Sequence, residues 1–226
     1  MYRDVLYFDL PDGMTREQFG IGDPGGYSYE AFKNDVHDAL RSGFGGSAVS
    51  RGNKAFDIHE NTYRVDADVI AAFEYRRYDR DCSYDQGTRS FTDDGGVLTN
   101  WPQQNYDNGV RRNEETGRRF KSVVRILKRL RNEMADAGLA SAKPIPSFLI
   151  ECLVWNVPND GFGHDAYLDD VRYVIAHLWN ETRSSETCRE WGEINELKYL
   201  FRTEQPWTRE QARTFLGAAW DYLGFE

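Results

Sequence analysis

The sequence predicts an α+β protein, with a mixed-sheet part over residues 1–110 followed by an all-helical part over residues 111–226. Three observations carry this reading. Apolar and polar side chains alternate across Lys54–Ile58 and Tyr63–Phe73 with the period of two that a half-buried strand requires. From about Glu114 onward, apolar residues recur at helical spacing to the end of the chain. Between these regions, residues 79–116 are rich in Asp, Asn, Gly and Gln and read as loop with short strand pieces.

The elements follow in order. Val5-Leu6-Tyr7-Phe8 is a short strand, ended by Asp9-Leu10-Pro11-Asp12-Gly13, and Asp23-Pro24-Gly25-Gly26 forms a second turn cluster. Ser28 is the N-cap of a helix whose Phe32, Val36, Ala39 and Leu40 share one face, and Gly43, Gly45 and Gly46 end it. A strand at 54–58 turns at Glu60-Asn61 into a second run, 63–73. Val65, Ala67, Val69, Ala71 and Phe73 fall on one face of that run, and Arg64, Asp66 and Asp68 on the other. Helices are predicted at 114–136, 147–156, 165–182, 191–199 and 208–223, the last opened by the capping-box pattern Thr208-Arg209-Glu210-Gln211. There is no internal repeat and no low-complexity segment.

Composition closes several functional classes. Of the 226 residues, 40% are hydrophobic and 29% charged, as in ordinary soluble globular proteins, and 14% aromatics argue against disorder. No apolar run approaches the roughly 20 residues that span a bilayer. The first residues carry an acid and an Asp-Leu-Pro-Asp stretch, so they do not read as a signal peptide. Three cysteines (82, 152, 188) without a Cys-x-x-Cys pair predict reduced thiols in a cytoplasmic protein, not a disulfide framework or a zinc ribbon. The four histidines (37, 59, 164, 177) lack metal-ligand spacing and read as structural or surface residues. A formal charge of −9 disfavours unspecific adhesion to nucleic acid or anionic membrane, but leaves room for a local basic site.

Such a site is present. Arg118, Arg119, Lys121, Arg125, Lys128, Arg129 and Arg131 crowd into one predicted helix, above a buried stripe of Phe120, Val123, Val124, Leu127, Leu130 and Met134. Lys121, Arg125 and Lys128 stand at i, i+4 and i+7, so they align along one face, and cations aligned in this way can neutralise a triphosphate. A solvated helix face has the same pattern. Val65-Asp66-Ala67-Asp68-Val69 sets two carboxylates on one face of a strand, the donor type that holds Mg²⁺, although alternating acids also mark a solvent-facing strand. Pro144-Ile145-Pro146-Ser147 delivers a serine to a helix start, where it caps the helix or binds a ligand.

Taken in order, these pieces resemble the polymerase-β superfamily of nucleotidyltransferases, and within it the bacterial cGAS/DncV-like enzymes (CD-NTases), with the oligoadenylate synthases as more distant relatives. Ala67-Asp68-Val69-Ile70-Ala71-Ala72-Phe73 resembles the strand bearing the family's third catalytic aspartate. Asn105-Tyr106-Asp107-Asn108-Gly109, Thr116 and Phe120 through Lys128 resemble the start of its helical half. Ile145 through Leu153 resembles the next helix, and Trp191, Asn195-Glu196 and Trp207 through Trp220 complete the likeness.

The resemblance implies a polymerase-β-like core over 1–110 and a helical domain over 111–226 that forms the other wall of a nucleotide cleft. It implies Asp68 as a metal ligand and base, and Arg125, Lys128 and Ser147 as nucleotide contacts, with Mg²⁺ or Mn²⁺ as cofactor. Asp66 and Lys121 join them by side-chain alignment. The partners implied are nucleoside triphosphates and protein regulators of an anti-phage defence system.

One departure stands out. The family's Gly-Ser turn followed by an Asp-x-Asp pair has no convincing copy. Gly46-Ser47 followed by Asp66-x-Asp68 imitates it, but the intervening stretch is long and holds another strand. The expectation is therefore that this chain begins after the motif. Three readings follow: a cyclic or linear oligonucleotide synthase, a non-catalytic nucleotide- or partner-binding protein of the same fold, and a nucleic-acid-binding module disfavoured by the net charge.

Overall fold

A computed structural model describes residues 6–22 and 26–225. The predicted first strand and second turn therefore fall partly outside the described residues, at Val5 and at 23–25. The chain divides into two compact units, 1–103 and 104–226.

The first unit holds two sheets. Strands β1 (Leu6–Asp9), β5 (Phe73–Tyr78), β6 (Tyr84–Phe91) and β7 (Val97–Asn100) form one in the order β1-β5-β6-β7, with β1 parallel to β5 and the other pairs antiparallel. Strands β2 (Val49–Arg51), β3 (Phe56–Ile58) and β4 (Ala67–Val69) form a small antiparallel sheet in sequence order. The continuous 63–73 strand read from the alternation is thus corrected. It breaks between Val69 and Phe73, so β4 and β5 belong to different sheets. Val65, expected on the buried face, lies before β4 and is 78% exposed.

Helix α1 (Tyr29–Phe44) forms as predicted, because the Ser28 hydroxyl accepts from the Ala31 N–H at 3.1 Å and Gly45 ends it with a φ of 91°. Phe32, Val36 and Leu40 pack on a small core of Val49, Phe56 and Ala71, whereas Ala39 is exposed. Beside them the buried Lys33 donates to the Asn53 carbonyl at 2.9 Å and to Asp93 Oδ1 at 2.8 Å. Arg51 grips the same carboxylate with two nitrogens, at 3.1 and 2.9 Å. Asp93 therefore ties α1 and the β2–β3 turn to the β6–β7 turn.

Helices α2 (Pro102–Glu115), α3 (Arg119–Asp136), α4 (Ser147–Trp155), α5 (Tyr167–Glu181) and α6 (Arg209–Tyr222) follow. Helix α2 corrects the loop expected there. Its sequence lacks an apolar stripe because it is anchored by polar contacts: Asn108 Nδ2 donates to the Ile194 carbonyl at 2.7 Å, and the Arg112 guanidinium to the carbonyls of Trp155 and Val157. The helix predicted from 114 begins instead at Arg119, after Gly117 and Arg118 both take left-handed conformations. The Thr116 hydroxyl accepts from the Phe120 N–H at 3.0 Å, and Asn113 Oδ1 from the Lys121 N–H at 3.1 Å, so the break is capped from the preceding helix.

The core of this unit is the predicted stripe of α3, from Phe120 to Met134, closed by Leu149, Ile150, Leu153, Val174, Ile175, Leu178, Phe215 and Leu216. Each such side chain contributes about 1.5–3 kcal/mol. The helix predicted at 191–199 is a loop. Buried Glu193 accepts from Asn195 Nδ2 at 2.6 Å and Gln205 Nε2 at 2.7 Å, and Asn156 pins the chain by exchanging hydrogen bonds with Gly192. Thr208 and Gln211 close the expected capping box of α6.

Candidate functional site

Burial of the α3 stripe forces the intervening residues outward, and three aligned cations come with them. Lys121 lies 5.9 Å from the ring centre of Tyr106 on α2. Arg125, one turn on, is exposed and makes no ion pair among the described residues. Lys128 donates to Glu151 Oε2 on α4 at 2.8 Å, with both side chains about one-third exposed. Lys121 and Lys128 span about 10 Å of helix at the usual rise.

Ser147 corrects one sequence reading. It is the first residue of α4, and Pro146 stands in the capping position without a side-chain cap. The Ser147 hydroxyl instead accepts from Arg131 Nη2 at 2.8 Å, while Arg131 Nη1 donates to the Ile145 carbonyl. The serine is thus held at the α3–α4 junction with its own proton still to donate. Arg131 belongs to the basic run, but its role in fixing Ser147 was not legible from spacing.

Sequence reasoning also missed a side chain on α2. The Oδ1 atom of Asn105, next to Tyr106, is buried and has no hydrogen-bond partner among the described residues. Leaving a buried acceptor unmade costs about 1–3 kcal/mol. The signal in sequence was its place at the head of Asn105-Tyr106-Asp107-Asn108-Gly109, the stretch that resembles the start of the helical half.

The remaining predicted residues lie in the first unit. Asp68 is central in β4, exposed, and directly opposite Asp57 of β3. Directly opposed residues share a sheet face, so two like charges stand side by side there. Asp57 was not singled out by sequence; its register against Asp68 is what brings it in. Asp66 precedes β4, and its Oδ1 accepts from the Glu60 N–H at 2.6 Å, so part of this carboxylate closes the turn.

Gly46-Ser47 runs through a short 3₁₀ turn into β2, whose residues Val49, Ser50 and Arg51 hold no carboxylate. No group of three or more His, Cys, Asp or Glu suited to a metal occurs among the described residues. The pair Asp57 and Asp68 still fits a hard divalent cation, because Mg²⁺ is commonly held by one or two carboxylates, with waters and substrate phosphates completing the shell.

The helical unit carries a family pattern. The profile of the cGAS/DncV-like nucleotidyltransferase C-terminal helical domain matches residues 107–224. The chain belongs to the cGAS/DncV-like nucleotidyltransferases. It is 49% identical over 204 residues to the cyclic dipyrimidine nucleotide synthase CdnE of Legionella pneumophila, covering 87% of this chain and 66% of that protein. To the protein of the same name from Cecembia lonarensis it is 43% identical over 225 residues, covering 99% of this chain and 76% of the relative. The structure of the Rhodothermus marinus CdnE c-UMP-AMP synthase with Apcpp and Upnpp superposes with a TM-score of 0.85 at 28% identity, over 97% of this chain and 74% of that one. The chain thus spans about two thirds to three quarters of these relatives.

Membership gives the two units their meaning. The mixed sheets and the helices are those of an α+β nucleotidyltransferase core and its helical domain. Among the described residues no helix is long and apolar enough to cross a membrane.

Proposed function

We propose that this chain binds nucleoside triphosphates and serves their joining, with release of pyrophosphate, into cyclic oligonucleotide second messengers of bacterial anti-phage defence. The observation that carries the reading is the row Lys121, Arg125 and Lys128 on one face of α3, with Arg125 making no ion pair among the described residues and Ser147 held at the start of α4. Guanidinium and ammonium groups spaced one helical turn apart match the repeated oxygens of a polyphosphate. The net charge of −9 makes this row a local exception suited to a small anion.

Asp68, with Asp57 beside it and Asp66 near, is proposed to hold a magnesium or manganese ion. When bound, the ion screens phosphate charge and makes the attacking hydroxyl more acidic. Asp68 would accept the proton of that hydroxyl, and on α3 Arg125 and Lys128 would bind the phosphates. Pyrimidine nucleotides are the favoured substrates, since the relatives at 49% and 43% identity are named cyclic dipyrimidine synthases, whereas one at 35% is named a cyclic dipurine synthase.

A second reading is favoured by one observation. Among the described residues only two carboxylates, Asp57 and Asp68, face each other across β3 and β4, which supports nucleotide binding without turnover. Incubation with the four nucleoside triphosphates and Mg²⁺ tests both. Pyrophosphate and cyclic product, lost in Asp68→Ala, support synthesis; nucleotide binding without pyrophosphate supports the second reading. Absence of binding contradicts both.

A further inference from the structure

We propose that Arg131 makes Ser147 a hydrogen-bond donor to phosphate, by occupying the hydroxyl oxygen and so directing its proton to the ligand. The inference rests on the nucleotide-binding reading above and adds a positioning residue to it.

Two side-chain bonds join α3 to α4 on this face. Lys128 Nζ donates to Glu151 Oε2 at 2.8 Å, and Arg131 Nη2 donates to Ser147 Oγ, also at 2.8 Å. Residues three and four apart are neighbours on a helix surface, so Arg131 follows Lys128 on α3 as Ser147 precedes Glu151 on α4. The Ser147 hydroxyl therefore continues the row of cations beyond Lys128. Arg131 differs from the exposed Arg125 in how it is held. It is half-buried, its Nε is buried, and its Nη1 donates to the carbonyl of the fully buried Ile145. Both terminal nitrogens thus grip one turn, two residues apart, which marks Arg131 as a brace for that turn.

The chemistry follows from the donor inventory. A guanidinium offers N–H donors and no acceptor, so the Ser147 proton cannot be given back to Arg131. No described residue accepts it either, and Ser147 is exposed. With an oxygen lone pair engaged by a cation, the hydroxyl is polarised and becomes a stronger donor. An ionised phosphate oxygen is a pure acceptor and forms the short, charge-assisted bond that such a donor favours. Arg131 acts here through Ser147, not as a further phosphate cation.

The test is a double-mutant cycle on tripolyphosphate binding, read by calorimetry with metal chelated and ionic strength fixed. Ser147→Ala is expected to weaken binding about fivefold, the value of one hydrogen bond, and Ser147→Thr to recover most of that loss. Arg131→Lys keeps the charge but replaces the planar fork with a single ammonium, and is expected to weaken binding about threefold. In the Ser147→Ala background the same change is expected to add less than about 1.5-fold, because the group it positions is gone. Arg131→Gln repeats the cycle if a urea melt shows Arg131→Lys to be poorly folded. A loss from Arg131→Lys that is as large in the Ser147→Ala background overturns the inference, since Arg131 then acts on the ligand or the turn without the serine. Unchanged affinity in Ser147→Ala, or in Arg131→Lys alone, overturns it as well. If the wild-type chain binds no tripolyphosphate, or the Arg125→Ala plus Lys128→Ala variant binds it equally well, the nucleotide-binding reading fails and takes this inference with it.

Discussion

Asp57 and Asp68 are direct cross-strand partners in the β3–β4 pair, and both carboxylates are exposed on the same face. Like charges in this arrangement repel, so the metal-free chain sacrifices stability at the position proposed to hold the metal. Asp57→Asn should stabilise the metal-free chain by about 0.5 kcal/mol in urea denaturation. Magnesium at about five times its Kd should add about 1 kcal/mol to wild type and nothing to Asp68→Ala. Equal magnesium responses in the two proteins would refute the metal assignment.

Acid stability depends on Asp93. The Arg51 guanidinium, then the Lys33 ammonium, hold its carboxyl well below the usual carboxylate range. A depressed folded value means the unfolded chain takes up the proton first as pH falls. The stabilisation is therefore complete above the unfolded value of about 4 and declines as pH drops below it. Asp93→Asn should flatten stability against pH in that region. Asp93→Ala should cost about 3 kcal/mol at neutral pH, because it strips the buried Lys33 of its counter-ion. Denaturant melts between pH 2 and pH 7 read both effects.

Helix α3 carries arginines of opposite purpose. Arg119 Nη1 meets the fully buried Asp170 at 3.1 Å, which also accepts from the His164 backbone N–H at 2.9 Å and contacts the His164 ring. Asp170→Ala should cost about 3–5 kcal/mol by unpairing these groups. Arg125→Ala should change stability by less than about 0.5 kcal/mol, since nothing in the fold uses it. Comparable losses in urea would mean that Arg125 is structural.

Asn105 Oδ1 has no hydrogen-bond partner among the described residues, and as an acceptor it can be satisfied by the N–H of a base but not by a phosphate oxygen. Asn105→Ala should weaken UTP binding about fivefold, roughly the value of one buried hydrogen bond, and leave tripolyphosphate binding unchanged. Parallel titrations with the two ligands check it; equal losses would move Asn105 to a structural role.

Much of this was legible in the sequence where apolar periodicity decides the element. The stripe from Phe120 to Met134 fixed the orientation of α3 and hence which cations face out. The carboxylate strand was legible only in part. Alternation cannot reveal that residues 70–72 break the run, nor that Asp57 pairs with Asp68, because register is a tertiary choice. Helix α2 and the 191–199 loop were misread for the same reason. Asn108, Arg112, Asn156 and Glu193 hold them through buried polar contacts, which leave no periodic trace.

The central claim is that the Lys121, Arg125 and Lys128 face of α3 receives a nucleoside triphosphate. UTP binding by calorimetry, in wild type and in the Arg125→Ala plus Lys128→Ala double variant, tests it most directly. The account predicts saturable binding that weakens at least tenfold in the double variant, whose melt stays close to wild type. Binding of equal strength in both proteins would contradict it.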